Sequence, residues 1–396
     1  MSAVPWKEAA SLIIVARTSV SQRVGHNLGK TVVISSRVIT STKDREAKSA
    51  LTKNDYRLLM VKRSGLSSFM ASAYVFPGGR VETADYSSRW WSVFENIGIY
   101  KVDLLSKFGN INGPRPPMIT DPITVKNAHI DGSFLPSDIA LRIAAIRETF
   151  EETGILLLTF NRESPSSQTP LSDLDETEVD LATWREKVRE DPAAFIDLCL
   201  ETKLCPDVWS LYEWWNWLTP ISVGHKRFDT MFYVCCLERQ PKVVLDNSEI
   251  TTLKWCTPTE MLEEHVQEKV FLAPPQVYEL SRIKNLTSFS SMKDFAEKRQ
   301  QHGTERWLPV LATYKDGALS LLPGDDLYPK IPDVIGRKPV PDFPQTLSEM
   351  RAKAVSINRI ELRGPTCVAL CNQTLSCGQL IPVTYTHLQG TLQSML

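Results

Sequence analysis

The chain has 396 residues, room for two domains or for one domain with large insertions, and 42% of them are hydrophobic, enough for a substantial core. A charged share of 23% is ordinary for a soluble globule, and a net charge of −1 argues against a general nucleic-acid binder, which is usually basic. No apolar run reaches the roughly eighteen residues of a membrane-spanning helix, so none is predicted.

In chain order, Ala9–Ala16 and Tyr56–Lys62 read as strands; the first is too short, and lacks a cleavage pattern, for a signal peptide. Thr18–Asn54 is polar and reads as a surface insertion with a short strand at Thr31–Ser35. Pro77-Gly78-Gly79 makes a tight turn whose backbone can approach a ligand closely. Tyr86–Pro136 starts helical and aromatic (Trp90, Trp91, Phe94), then turns loop-like near Gly113-Pro114. Its aromatic start reads as a satellite core in preference to a lid. Asn161–Asp180 has no periodicity and reads as a surface loop. Leu181–Leu200 is helical, broken in two at Pro192.

The Trp-rich run Leu211–Pro220 is expected to pack on the sheet; stacking on adenine is the alternative. Lys226–Leu237 reads as a basic turn and a strand, and Thr251–Trp255 as a strand after a loop carrying Glu249. Thr257–Glu268, Pro274–Ile283 and Ser291–Gln301 read as helices. Trp307–Tyr314 and Ala318–Leu322 read as a hairpin about Asp316-Gly317, followed by a Pro-rich loop and short strand-like runs. The eight cysteines include no C-x-x-C pair, so reduced thiols are expected. Cys367, Cys371, Cys377 and His387 match no zinc spacing. Periodicity alone supports an α/β fold.

The most informative stretch is Ile139–Leu158. Ser137 and Asp138 are placed to cap a helix in which Ile139, Ile143, Ile146 and Phe150 share one face. Glu148, Glu151 and Glu152 fall opposite, and Arg147 stands four residues before Glu151. Three close carboxylates repel unless a cation joins them, and a hard divalent ion such as Mg²⁺ suits oxygen donors; the alternative is a solvated acidic face. Gly154 ends the helix, and Ile155–Leu158 reads as a short buried strand.

These residues resemble the Nudix box, Gly-x5-Glu-x7-Arg-Glu-U-x-Glu-Glu-x-Gly-U, with U aliphatic. Arg147–Ile155 matches its second half, and Phe76-Pro77-Gly78-Gly79-Arg80 opens the first, with Asp85 where the pattern has Glu and Thr149 at a U position. Sixty-one residues between Asp85 and Arg147 replace the usual seven. A box split in this way resembles the peroxisomal coenzyme A diphosphatase branch. The resemblance implies an α/β/α sandwich with a mixed sheet over residues 8–285, insertions at 18–54 and 86–136, and a C-terminal extension at 286–396.

It also implies Mg²⁺ or Mn²⁺ held by Glu148, Glu152, Glu151 and the Gly79 carbonyl. Glu151 or Glu249 would be the general base, and Arg147 would orient a glutamate. Arg227, in an Arg-Phe-Asp-Thr run typical of that branch, would clamp phosphate, with Phe228 at the base and Arg80, Lys62 and Arg63 as further anion partners. The expected reaction splits coenzyme A or acyl-CoA into 3′,5′-ADP and (acyl-)4′-phosphopantetheine. Another nucleoside diphosphate derivative (ADP-ribose, a dinucleotide, capped RNA) or a non-catalytic CoA-sensing module are the alternatives. Ser394-Met395-Leu396 resembles a tripeptide read by the peroxisomal import receptor, with Met in place of its basic middle residue; a peroxisomal location is expected, mostly from the family resemblance, with cytoplasm or mitochondrion as alternatives.

Overall fold

The computed structural model describes residues 6–18, 54–109, 111–128, 134–159, 179–224, 226–245 and 249–383. The expected strand at Thr31–Ser35, most of the 161–180 loop, His387 and Ser394-Met395-Leu396 lie outside them. An unbroken apolar strand is buried on both faces, and Lys7–Arg17 (β1) accordingly runs through the middle of a nine-stranded mixed sheet. The others are Tyr56–Arg63 (β2), Ala73–Val75 (β3), Gly78–Arg80 (β4), Tyr212–Leu218 (β5), Phe228–Leu237 (β6), Ile250–Cys256 (β7), Phe271–Leu272 (β8) and Arg306–Trp307 (β9). Their order is β8-β3-β2-β1-β6-β5-β9, with β4 on β1 and β7 on β2. β1 runs parallel to β6 and antiparallel to β2 and β4.

Side chains alternate across a strand, so β1 feeds two cores. Ala10, Leu12, Ile14 and Ala16 enter one, and Ile13 and Val15 the other. The first core lies under Ser137–Thr153, with Trp90–Glu95 (α1) ahead of it, so the long helix is α2. Ile139, Ile143, Ile146 and Phe150 are all buried there, each contributing about 1.5–3 kcal/mol. Leu181–Glu190 (α3) and Ala194–Thr202 (α4) flank them, split at Pro192 as expected. Trp90 packs on Phe195 at 5.7 Å and Phe94 on Trp209 at 6.0 Å, which makes the start of the insertion core and not lid.

The second core lies under Pro258–Val266 (α5), Pro274–Ile283 (α6) and Phe289–Arg299 (α7), completing an α/β/α sandwich. The Trp-rich run is β5. Trp214 and Trp217 donate to Glu279 at 2.6 and 2.8 Å, and Arg282 lies over the Trp215, Trp307 and Tyr278 rings. These contacts are packing, with the Trp214 and Trp217 indole N–H groups satisfied by Glu279.

Two local expectations change. The N-cap of α2 is Pro136, with no side-chain cap, because Asp138 is drawn instead to Arg115 and Arg142. Ile155–Leu157 are buried but not in a strand, which is confined to Leu158–Thr159. Gly154 does end α2, in the left-handed region at φ 74°.

A second sheet follows: Val310–Tyr314 (β10), Gly317–Leu321 (β11), Asp342–Phe343 (β12), Asn358–Arg363 (β13) and Thr366–Cys371 (β14), ordered β12-β10-β11-β13-β14. The hairpin about Asp316-Gly317 forms from β10 and β11, but Trp307 pairs with Trp217 in the large sheet. The second sheet docks on α6 through Tyr278, whose hydroxyl donates to Asn358 Oδ1 at 2.6 Å. Gln379 Nε2 donates to the Trp214 carbonyl at 3.1 Å, and the Cys367 N–H to His265 Nε2 at 3.0 Å. All eight cysteines are free, and among the described residues no helix is long and apolar enough to cross a membrane.

Candidate active site

The glycine turn brings the two halves of the box together. Gly78 takes φ 149°, and a Cβ there would stand 2.3 Å from the Ala10 carbonyl oxygen. At Gly79 a Cβ would lie 2.3 Å from Glu148 Oε2, so β4 lies directly against α2. The Gly78 N–H donates to Glu152 Oε2 at 2.9 Å.

Arg147 is the hub. Its Nε and Nη2 donate to Asp85 Oδ1 and Oδ2, each at 2.9 Å, a bidentate pair buried on both sides. Its Nη1 reaches Glu148 at 2.9 Å and Glu151 at 2.6 Å, and its Nη2 reaches the Arg80 carbonyl at 2.8 Å. Asp85 also accepts the Glu82 N–H at 2.8 Å. The shorter carboxylate thus ties the halves of the box across the inserted segment.

Burial and then Glu148 push Glu151 up to about 8, and the same two causes hold Glu152 well above the carboxylate range. Glu148 is also raised, chiefly by burial, with Arg147 opposing. Neighbouring Glu249 adds to the rise at Glu148 and Glu152. Among the described residues no three acidic, His or Cys side chains form a closed cation cage, since Glu148 and Glu151 are turned to Arg147. The donor chemistry nevertheless fits a hard divalent ion: three carboxylates of raised pKa beside glycine backbone form an all-oxygen set short of positive charge.

A cleft of 710 Å³ opens from these groups, and Glu148, Glu152, Gly79, Arg80 and Glu249 lie on its wall. Glu151 is set back from it, paired with Arg147. Arg80 is half-exposed, 3.4 Å from Glu82. Lys62 lies outside the wall, its ammonium 5.9 Å over the Tyr74 ring, whereas Arg63 lines the cleft. Successive residues of β2 face opposite sides, so only one of the two basic residues can look inward.

Phe228 lines the cleft, its ring 5.0 Å from that of Phe69, a cleft residue that the sequence reading missed. Phe69 sits in the turn joining β2 to β3, where no periodicity marks it. Arg227 also lines the cleft but is not a free fork. Its Nε and Nη1 donate to the Thr219 and Val334 carbonyls at 2.8 and 2.9 Å, which leaves Nη2 without a partner. Its chain neighbour Lys226, also on the wall, reaches Ser68 Oγ.

A mixed sheet between helices, with box glutamates held against a Gly-Gly turn, defines a Nudix domain. The family model described as the NUDT19 Nudix domain matches residues 6–283, and that of the NUDT19 C-terminal domain residues 311–372. The chain is 42% identical over 342 residues to the acyl-coenzyme A diphosphatase NUDT19 of Xenopus laevis, covering 84% of this chain and 83% of that protein. Against the Gallus gallus protein of the same name it is 39% identical over 343 residues, covering 85% and 83%. A Nudix hydrolase structure from Alicyclobacillus acidocaldarius is 18% identical with a TM-score of 0.45, over 73% of this chain and 96% of that one. The chain belongs to the NUDT19 family of Nudix proteins.

Proposed function

We propose that this protein hydrolyses the diphosphate of coenzyme A and acyl-CoA, giving 3′,5′-ADP and (acyl-)4′-phosphopantetheine. The observation that carries this reading is likeness, along 84% of the chain, to a protein named acyl-coenzyme A diphosphatase. Glu148, Glu152 and the Gly79 carbonyl on the cleft wall, with Glu151 behind them, would hold Mg²⁺ or Mn²⁺, which when bound supplies positive charge against the diphosphate and a water of lowered pKa. Arg147 fixes the orientation of Glu148 and Glu151. Glu249 is the better-supported acceptor of the proton of the attacking water, because it faces the cleft while Glu151 is engaged by Arg147. Arg63, Arg80, Lys226 and Arg227, whose buried Nη2 has no partner, supply positive charge for the nucleotide phosphates, and Phe69 and Phe228 supply ring surface for the base.

The test incubates the protein with coenzyme A and Mg²⁺, alongside Glu152→Gln and Glu249→Gln, and follows 3′,5′-ADP by chromatography. Product from the wild type and little from Glu152→Gln is expected. Turnover of ADP-ribose or a dinucleotide alone would overturn the substrate, and binding without turnover of any diphosphate would overturn the hydrolase. Near-normal turnover in Glu249→Gln would return the base role to Glu151. The proposal carries with it a peroxisomal location, supported by the resemblance of the split box to the peroxisomal branch. Imaging of a tagged protein in cytosol or mitochondria would refute it.

A further inference from the structure

The cleft continues past the Nudix sheet. Its wall includes Pro309, just after β9, and Ser320 of β11 in the C-terminal sheet. Strand register traces the route. Gly79 stands beside Ala10 and Gly78 beside Ser11; Ser11 stands beside Phe232 and Ala9 beside Thr230. Thr230 stands beside Trp217, and Trp217 beside Trp307, two residues before Pro309. Four strand spacings, roughly 19 Å in all, therefore separate the glycine turn from β9, the last strand before the C-terminal sheet.

The wall changes character along this route. Lys226 and Arg227 stand beside Phe228 in the chain and Arg63 shares the wall with them, whereas Phe76 and Phe232, with rings 6.3 Å apart, and Trp217, Pro274 and Pro275 give it an apolar share, with Thr230 and Gln276 among them. Coenzyme A has the same asymmetry: its nucleotide half is polyanionic, and its pantetheine half is a long neutral chain ending in the thioester. We propose that Pro309 and Ser320 of the C-terminal region form the end wall of the apolar arm and select the acyl group by size. This rests on the acyl-CoA reading above.

The wall is held in place. Ser320 is 6% exposed and is paired with Leu311 and Ile360 on either side. Its neighbours Leu319 and Leu321 point the opposite way along the strand. The Val334 carbonyl accepts from Arg227, which fastens the same region to the basic arm. A serine at the end of an apolar arm leaves volume that a larger side chain would fill.

The test measures kcat/KM for free coenzyme A and for its acetyl, octanoyl and palmitoyl esters in wild type, Ser320→Ala and Ser320→Phe. Ser320→Phe is expected to lower the palmitoyl-to-free ratio roughly tenfold or more, the scale of a steric change in an apolar pocket, with the acetyl ratio moving least. Ser320→Ala should keep the palmitoyl ratio at or above the wild-type value. Unchanged ratios in Ser320→Phe, or one uniform loss including free coenzyme A, would overturn the proposal. Should Ser320→Phe fail to fold, Ser320→Val in the same assay decides it by the same ratio. Wild-type protein that cleaves no coenzyme A at all would instead sink the acyl-CoA reading itself.

Discussion

The two ends of α2 carry two charge clusters that differ in their supply of cations. Near the N-terminal end, buried Glu213 of β5 accepts from Arg115 at 2.7 Å and Arg142 at 3.3 Å, and Arg299 donates to its carbonyl at 3.1 Å. Burial pushes Glu213 up, but Arg142, Arg115 and Arg299 overcome it and leave the carboxyl below its ordinary value, while burial and then Glu213 raise the less buried Asp138 beside it. Near the C-terminal end, one buried arginine is shared by Asp85, Glu148 and Glu151, and Glu152 has a backbone N–H. There all three glutamates lie above their ordinary value. Burial is comparable in kind; a balanced cluster is structural, and a cluster left short of positive charge is prepared for a cation.

Equal substitutions at the two ends should therefore part company. Glu213→Gln leaves buried Arg142 and Arg115 to share Asp138 as their one remaining carboxylate partner and should cost about 3–5 kcal/mol of stability in urea unfolding. A loss under about 1 kcal/mol would remove the claim of a balanced cluster. Glu152→Gln should do the reverse: turnover drops by roughly 100-fold or more, about 2.7 kcal/mol, while the melting temperature of metal-free protein holds or rises. A melting point that falls with the activity would mark Glu152 as structural. Arg147→Lys keeps the charge but loses the fork on Asp85, so roughly a tenfold fall in turnover is expected, read from kcat at saturating Mg²⁺.

The smallest effect is on pH. A carboxyl whose folded pKa is raised binds more protons folded than unfolded, so stability falls as pH rises from the ordinary glutamate value toward about 8 at Glu151. Melting curves of metal-free protein across that window should show the decline, and Glu151→Gln should flatten it. An unchanged slope in Glu151→Gln would assign the decline elsewhere.

What the sequence disclosed follows the same division. α2, its apolar face and its Gly154 stop are local features with a 3.6-residue period, so they were legible. The box carboxylates were legible because their spacing is chemical. The Glu213 cluster was not: it is one glutamate among tryptophans, and its partners Arg115, Arg142 and Arg299 lie far away in the chain. Lys62 and Arg63 show an intermediate case. Alternation says that they face opposite ways, but nothing local says which side holds the cleft. Trp307 looked like hairpin because its pairing partner, Trp217, is on a distant strand.

That short strand has a mechanical consequence. Trp307 ends in the large sheet and Val310 begins in the small one, with Leu308 and Pro309 between them. Two residues, one of them proline, leave no slack for a hinge. The two sheets are therefore expected to unfold as one cooperative unit, and calorimetry should record a single heat-absorption peak with equal calorimetric and van't Hoff enthalpies. Cutting the chain ahead of β9 would bare the indole faces of Trp215 and Trp217, and the remaining fragment should aggregate on heating instead of melting reversibly.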